Sequence, residues 1–310
     1  MQIQKNIPLA KYTTFKIGGP AKFFVEVKEG SELPKSIHWA EENHQKIFTL
    51  SGGSNLLVSD QGFSGLVIKI DNTDLSISDD TVTAGAGWNL KKLIEKCWEE
   101  DLVGMKNLYG IYGSLGGALR GNAGAFGSEI SDFVESLEVF DTKDKQTKIL
   151  DKKDCGFVYR GSIIKDNPNL IILSATLKLT KQNPDQEKTE AKEIFIKRCS
   201  SQDTLPSAGC IFKNIKDERF EEFVQDNPNI KLPDIFIERE SIPAAWLIEE
   251  TSIKGKQIGG AKISDKHANF IVNTGGATAE QVLELISLIK MKVRNQFKVQ
   301  LSEEIELVGF

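Results

Sequence analysis

Basic charge, paired cysteines, histidine and long apolar runs are all scarce in this 310-residue chain. Lys and Arg number 39 against 44 Asp and Glu, a net charge of −5. That removes the basic surface a general nucleic-acid binder needs, so no nucleic-acid partner is expected. The four cysteines (Cys97, Cys155, Cys199, Cys210) stand far apart. Neither a disulfide framework nor a zinc site is expected, and no metal is assigned. No apolar run reaches membrane-spanning length. The first residues, Met-Gln-Ile-Gln-Lys-Asn, lack the apolar core of a signal peptide. A cytoplasmic protein without a membrane partner is the expectation. Hydrophobic content of 40% and charged content of 27% are ordinary for a globular chain. The length exceeds one small core, so two or three subdomains are expected.

What is abundant is glycine, and it is concentrated. Between Leu108 and Glu129 lie Gly110, Gly113, Gly116, Gly117, Gly121, Gly124 and Gly127. Glycine loses the most backbone entropy on folding, so this density implies positive φ angles or close contact with something. A flexible linker is the alternative, but linkers are polar and Ser- or Pro-rich. This stretch interleaves Ile111, Leu115, Ala118, Leu119 and Phe126. A packed loop that offers backbone N–H groups to phosphate oxygens, aided by a short helix N-terminus, is the reading adopted.

Around it the patterns alternate. Phe23–Val27 reads as a strand, Leu33–Asn43 as a helix and Lys46–Leu50 as a strand, together a parallel crossover unit. Ser51-Gly52-Gly53-Ser54-Asn55 follows, at the end of a strand where open α/β sheets place ligands. It is neither a Rossmann fingerprint nor a P-loop. Residues 66–87 read as an antiparallel meander. Asn89–Glu100 is an amphipathic helix, and Val134–Phe140 and Leu170–Leu179 are strands. A helix around Ala191–Arg198 opens the last unit, after a polar stretch at 181–192. Further elements are a helix at Ala244–Glu250, a strand near Asn269–Val272, a helix at Ala279–Lys298 and a terminal strand over 299–308. Thr278 and Gln281 have the spacing of a capping box.

Four side chains stand out against apolar or glycine-rich surroundings, each with an ordinary explanation beside the chemical one. Arg160 can lie over Tyr159 as a surface arginine, or hold a carboxylate through two hydrogen bonds. Cys210 can be an inert buried thiol, or a proton donor to a reacting carbon. Glu304, between Glu303 and Glu306, can belong to a solvated strand edge. His267 can be a structural loop histidine, or touch substrate.

The ordered set of segments resembles the UDP-N-acetylenolpyruvoylglucosamine reductase family over nearly the whole chain. The matching pieces are 6–19, Ser51–Asn55, Ala84–Gly87, Gly116–Ala118, Asn122–Gly127, Phe157–Arg160, Pro206–Asn214, Trp246–Glu249, Lys254–Gly255, Gly259–Ala261, Ser264–Asn273 and Glu304. The resemblance implies an α+β chain of the vanillyl-alcohol-oxidase type. Two α+β subdomains bind FAD (1–70, completed by 299–310, and 71–190), and a C-terminal α+β domain (191–298) binds substrate. It implies FAD contacts at Ser51, Gly52, Gly53, Ser54, Asn55, Gly113, Ser114, Gly116, Gly117, Asn122, Gly124 and Gly127. Lys213, Asn214 and His267 match substrate-side positions.

The implied partners are small molecules, NADPH and an enolpyruvyl UDP-sugar, and a monomer is expected. NADPH reduces FAD and leaves, and the enolpyruvyl group of UDP-N-acetylglucosamine enolpyruvate then takes a hydride from flavin N5 at its vinyl carbon. Arg160 and Glu304 match the pair that holds the carboxylate, and the product is the muramate precursor of peptidoglycan. Three departures are visible. Cys210 stands where the family has a serine proton donor, Tyr112 where it has proline, and the 160–210 segment is too short for a tyrosine-bearing lid. Two alternatives stay open: an FAD-dependent alcohol or sugar oxidase of the same fold, and an inactive nucleotide-sugar binder. Oxidases of this kind often link flavin to a histidine or cysteine near the dinucleotide loops, and no histidine occurs between Gly52 and Glu129.

Overall fold

The computed structural model describes residues 1–310, an α+β chain that divides into two compact units. The first comprises Met1–Ile7, Ala21–Gly53 and Phe63–Arg198, and the second Pro8–Pro20, Ser54–Gly62 and Cys199–Phe310. No helix is long and apolar enough to cross a membrane.

The first unit holds two sheets. In the four-stranded one, the order is Gln4–Pro8, Pro20–Val27, Phe63–Ile70, Ile47–Leu50, and Phe63–Ile70 runs parallel to both of its last-named neighbours. The crossover is therefore present, with a third strand between its two ends. Placing 66–70 in an antiparallel meander is corrected. Leu66, Val67 and Ile68 are buried in succession, and a strand covered on both faces is what a parallel sheet requires. Only Leu75–Ser78 and Thr81–Gly85 pair as an antiparallel hairpin. They end a five-stranded antiparallel sheet in the order Gln146–Asp151, Val134–Asp141, Leu170–Lys178, Thr81–Gly85, Leu75–Ser78.

Helices close over these sheets by their spacing. In Glu32–Glu42 the buried Leu33, Ile37 and Ala40 recur every three or four residues. In Leu90–Glu99 the same holds for Leu90, Leu93, Ile94 and Cys97, and Asn89 caps it by accepting from Lys92 N at 3.1 Å. The helix expected from Ala191 runs over Asp185–Ser201. Its early turns belong to the first unit: Glu187 accepts from Trp98 Nε1 at 2.8 Å and from Gly104 N at 2.6 Å. Only its turns before Ala191 read as a polar stretch, because charged contacts rather than an apolar stripe anchor them.

In the second unit a four-stranded antiparallel sheet has the order Ser207–Cys210, Phe270–Asn273, Ala261–Ile263, Gln257–Ile258. The helix Ala279–Phe297 packs on it through Val282, Leu285, Ile286, Ile289 and Val293. Both bonds of the Thr278/Gln281 capping box form. Asp60 adds a second cap, accepting from Ala279 N at 3.0 Å and Glu280 N at 3.2 Å. A carboxylate on a helix N-terminus gains from both hydrogen bonds and dipole. We expect Asp60→Ala to lower unfolding free energy by about 1 kcal/mol, measured by urea denaturation. An unchanged midpoint would show that the capping box alone suffices. The terminal strand is shorter than expected. Glu306–Val308 pairs parallel with Leu56–Val58, while Glu303 makes a single bridge to Phe212.

Candidate active site

In the first unit, the two glycine turns meet backbone to backbone. A Cβ placed on Gly52 would lie 2.6 Å from Ser114 N and 2.7 Å from Gly113 Cα. Gly53 (φ +61°) and Gly113 (φ +126°) occupy conformations that side chains disfavour. Ser114 knits the two turns: its Oγ contacts Ser51 Oγ and accepts from Gly52 N at 3.0 Å. It also caps the short helix Leu115–Arg120. The expected row of N–H donors is corrected at this helix. Leu115 N donates to Trp88 O at 2.8 Å, Gly116 N to Ala86 O at 2.9 Å and Gly117 N to Ser114 Oγ at 3.4 Å. Gly116 allows the helix to approach the protein's own Ala86, whose Cβ an added Cβ would meet at 2.8 Å.

Beyond the helix, Gly124–Ala125 and Ser128–Glu129 form a tight hairpin whose turn is Phe126-Gly127, both at positive φ. That is the turn whose twist suits a two-residue hairpin. Gly127 lies in open space at its tip. Asn122 is 1% exposed, and its amide serves the protein. Nδ2 donates to Glu129 Oε2 at 2.6 Å and Val158 O at 3.1 Å, and Oδ1 accepts from Ser131 N at 3.2 Å. Its side chain therefore positions the neighbouring turn, in which Val158 and Gly161 exchange two backbone bonds of 3.1 Å. Arg160 projects from that turn with φ +56°. Its guanidinium lies 5.1 Å from the Tyr159 ring centroid and Nη2 donates to Gly124 O at 3.0 Å. A left-handed conformation is costly for an arginine, and the surrounding turn holds it. Lys165 Nζ holds its carbonyl at 2.9 Å.

The second unit gathers Cys210, Lys213, Asn214, His267, Glu304 and Asn55. The strand Ser207–Cys210 bulges between Ser207 and Cys210, with Gly209 at φ +76°, so that Cys210 pairs with Phe270. A bulge re-aims the side chain that follows it. Glu304 N donates to Ile211 O at 2.7 Å, and Glu304 O accepts from Asn55 Nδ2 at 2.9 Å. Lys213 N donates to Ser302 O at 2.9 Å. Asn214 Oδ1 accepts from Ala244 N at 3.2 Å, capping a helix that begins behind Pro243. The His267 ring packs against Phe270 at a tilt of 59°, with ring centroids 4.7 Å apart. Buried Ser264 accepts from its backbone N at 3.3 Å and donates to Asp203 at 3.1 Å. Ser54 adjoins Asn55 on the same unit. Asn269, Ser264 and Lys165 carry no assignment from sequence. The signal for Asn269 was faint: a polar residue just before the apolar run Phe270–Val272.

The cysteines separate by environment. Burial pushes the Cys97 thiol from its ordinary 9.0 up to about 12. Burial, with Asp154 and Asp151 adding to it, pushes Cys155 up to about 11. Cys199 and Cys210 are partly exposed. Only thiolates react readily, so a disulfide reagent at pH 8 should titrate two thiols in the native protein and four after denaturation. Three or four fast thiols in the native protein would contradict the buried environments. The same shift has a stability consequence. The unfolded Cys97 thiol ionises above 9.0 while the folded one stays protonated, so its contribution is whole below pH 9 and is lost as pH rises toward about 12.

Residues 200–308 match the family model described as UDP-N-acetylenolpyruvoylglucosamine reductase, C-terminal domain, and residues 21–149 match an FAD binding domain. The UDP-N-acetylenolpyruvoylglucosamine reductase of Solibacter usitatus is 36% identical over 310 residues, covering 100% of this chain and 97% of that protein. That of Anoxybacillus flavithermus is 37% identical, covering 99% and 94%. The crystal structure of the reductase from Thermus caldophilus superposes with a TM-score of 0.78 at 31% identity, covering 99% of each chain.

The matched FAD binding segment contains the abutting turns at Gly52 and Gly113, where an added Cβ would strike backbone. Two glycine turns locked backbone to backbone make a rigid, side-chain-poor wall of the kind that lines a dinucleotide diphosphate. The α+β, FAD-binding fold expected from sequence is confirmed, and the full-length likeness favours the reductase over the oxidase alternative. This chain is a member of the UDP-N-acetylenolpyruvoylglucosamine reductase family.

Proposed function

We propose that the protein is the NADPH-dependent flavoenzyme that reduces UDP-N-acetylglucosamine enolpyruvate to UDP-N-acetylmuramate for peptidoglycan synthesis. FAD, charged by NADPH, supplies the hydride for the vinyl carbon. Ser51–Asn55 and Gly113–Gly117 would hold the cofactor diphosphate, with Asn122, Gly124 and Gly127 shaping the adjoining turn. Residues 1–70, completed by 299–310, and 71–190 serve as the FAD-side subdomains, and 191–298 as the substrate domain. The active species in this reading is a monomer.

The protein's own groups carry the rest of the reaction. Arg160 grips the substrate carboxylate, where a planar guanidinium offers paired donors. Charge that develops on the α carbon as hydride arrives is shared by that carboxylate and stabilised by the Arg160 guanidinium, with Glu304 completing the site. Cys210 Sγ then gives its proton to the α carbon. A thiol is more acidic than the hydroxyl usual in the family, so the substitution keeps a competent donor. Lys213, Asn214 and His267 hold the UDP-sugar. The observation that carries this reading is the 2.7 Å bond from Glu304 N to Ile211 O, which fixes Glu304 on the strand that bears Cys210.

Anaerobic stopped-flow absorbance at the oxidised flavin band tests it. NADPH should bleach the band, and the enolpyruvyl UDP-sugar should then restore it. Failure of the UDP-sugar to reoxidise the flavin rules out this substrate. Restoration by an alcohol- or sugar-derived carbonyl would favour an oxidase of the same fold.

A further inference from the structure

We propose that Asn269 is a positioning residue that aligns Cys210 and Glu304 for protonation of the substrate, an inference resting on the roles given to those two residues above. Asn269 is 2% exposed and lies one residue before Phe270, the strand partner of Cys210. Both ends of its amide bond the same residue across the ladder: Oδ1 accepts from Phe212 N at 3.0 Å, and Nδ2 donates to Phe212 O at 2.8 Å. Its own carbonyl accepts from Ile211 N at 2.8 Å. Three bonds thus fasten one residue to the two that follow Cys210.

The strand needs this clamp because of its bulge. Gly209 breaks the regular ladder, and ordinary pairing is lost between Ser207 and Cys210. A bulged strand end is free to shift unless something outside the ladder holds it. An asparagine amide offers one donor and one acceptor side by side, so it can replace a missing pair of backbone groups. No carboxylate or aliphatic side chain of that size does both. The clamp also reaches Glu304, whose N–H bonds the carbonyl of Ile211 at 2.7 Å. Moving Ile211 and Phe212 would therefore move the acid and the proton donor together.

Catalysis is sensitive to such a shift, since a displacement near 1 Å can cost about 10²-fold. The test compares Asn269→Asp and Asn269→Ser with wild type and Cys210→Ala, each purified with its FAD. Flavin reduction by NADPH and flavin reoxidation by the enolpyruvyl UDP-sugar are followed separately, at saturating substrate and in H2O and D2O. We expect both Asn269 variants to bleach with NADPH as wild type does. Reoxidation should slow by about 10- to 100-fold, with little change in KM and a larger solvent isotope effect. In Asn269→Asp the rate should recover at low pH, because a protonated carboxyl again presents a donor beside an acceptor.

Reoxidation at the wild-type rate in both variants, with Cys210→Ala slow, overturns the positioning role alone. Loss of bound FAD in step with activity in both variants also overturns it, leaving Asn269 a fold-stabilising residue. A wild-type rate in Cys210→Ala overturns the proton-donor reading on which the inference stands.

Discussion

Cys210→Ala should bleach with NADPH at the wild-type rate and then fail at the second half-reaction, with reoxidation by the enolpyruvyl UDP-sugar slowed by about 10²-fold or more. General acid catalysis contributes about 10²–10⁴-fold in well-placed sites, and alanine removes the proton without adding bulk. Cys210→Ser should keep substantial activity, since a hydroxyl can also give a proton from this position. The pair of variants separates geometry from acidity. The bulge at Gly209 places residue 210 opposite Phe270 whichever side chain it carries. A fast Cys210→Ala would mean that another group, or water, protonates the α carbon.

The second large effect concerns the cofactor. Gly52→Ala should purify nearly colourless, with FAD affinity reduced by at least ~10-fold, because its methyl would sit 2.6 Å from Ser114 N and 2.7 Å from Gly113 Cα. Backbone, not a flexible side chain, stands in the way, so one glycine turn must separate from the other. Ser114 would lose its 3.0 Å bond from Gly52 N in the process. Gly127→Ala provides the contrast. Its Cβ would meet nothing within 4 Å, and only its φ of +82° is unfavourable. The expected cost is about 1 kcal/mol of stability with FAD retained. Flavin-to-protein absorbance ratios of the two purified variants decide the matter. Equal ratios would place the dinucleotide away from the Gly52–Gly113 contact.

How much was visible in the residues follows from how local each signal is. The helix Ala279–Phe297 and its Thr278/Gln281 box depend on spacing within a few residues, and both formed as the spacing predicts. The helix Ala244–Glu250 matches its expected ends. The strand Phe63–Ile70 was visible as a strand, but its partners were not. Leu66-Val67-Ile68 states that two faces are covered without saying by which neighbours. The helix Asp185–Ser201 was visible only from Ala191 on; its first turns read as a polar stretch, because their anchor is Glu187, a charged residue like those around it.

The same division holds at the site. The sequence by itself determined the family, the glycine turns and the side chains competent for chemistry, because chemistry depends on residue type and short spacing. Tertiary structure alone decided what those residues touch. It spent the first donors of the Leu115–Arg120 helix on Ala86 and Trp88, and turned the Asn122 amide inward to Glu129, Val158 and Ser131. It also joined Glu304 to Ile211, and Asn269 to Phe212, across long stretches of chain. A hydrogen bond between residues distant in sequence leaves no periodicity to read, since either partner would look the same with its amide facing water.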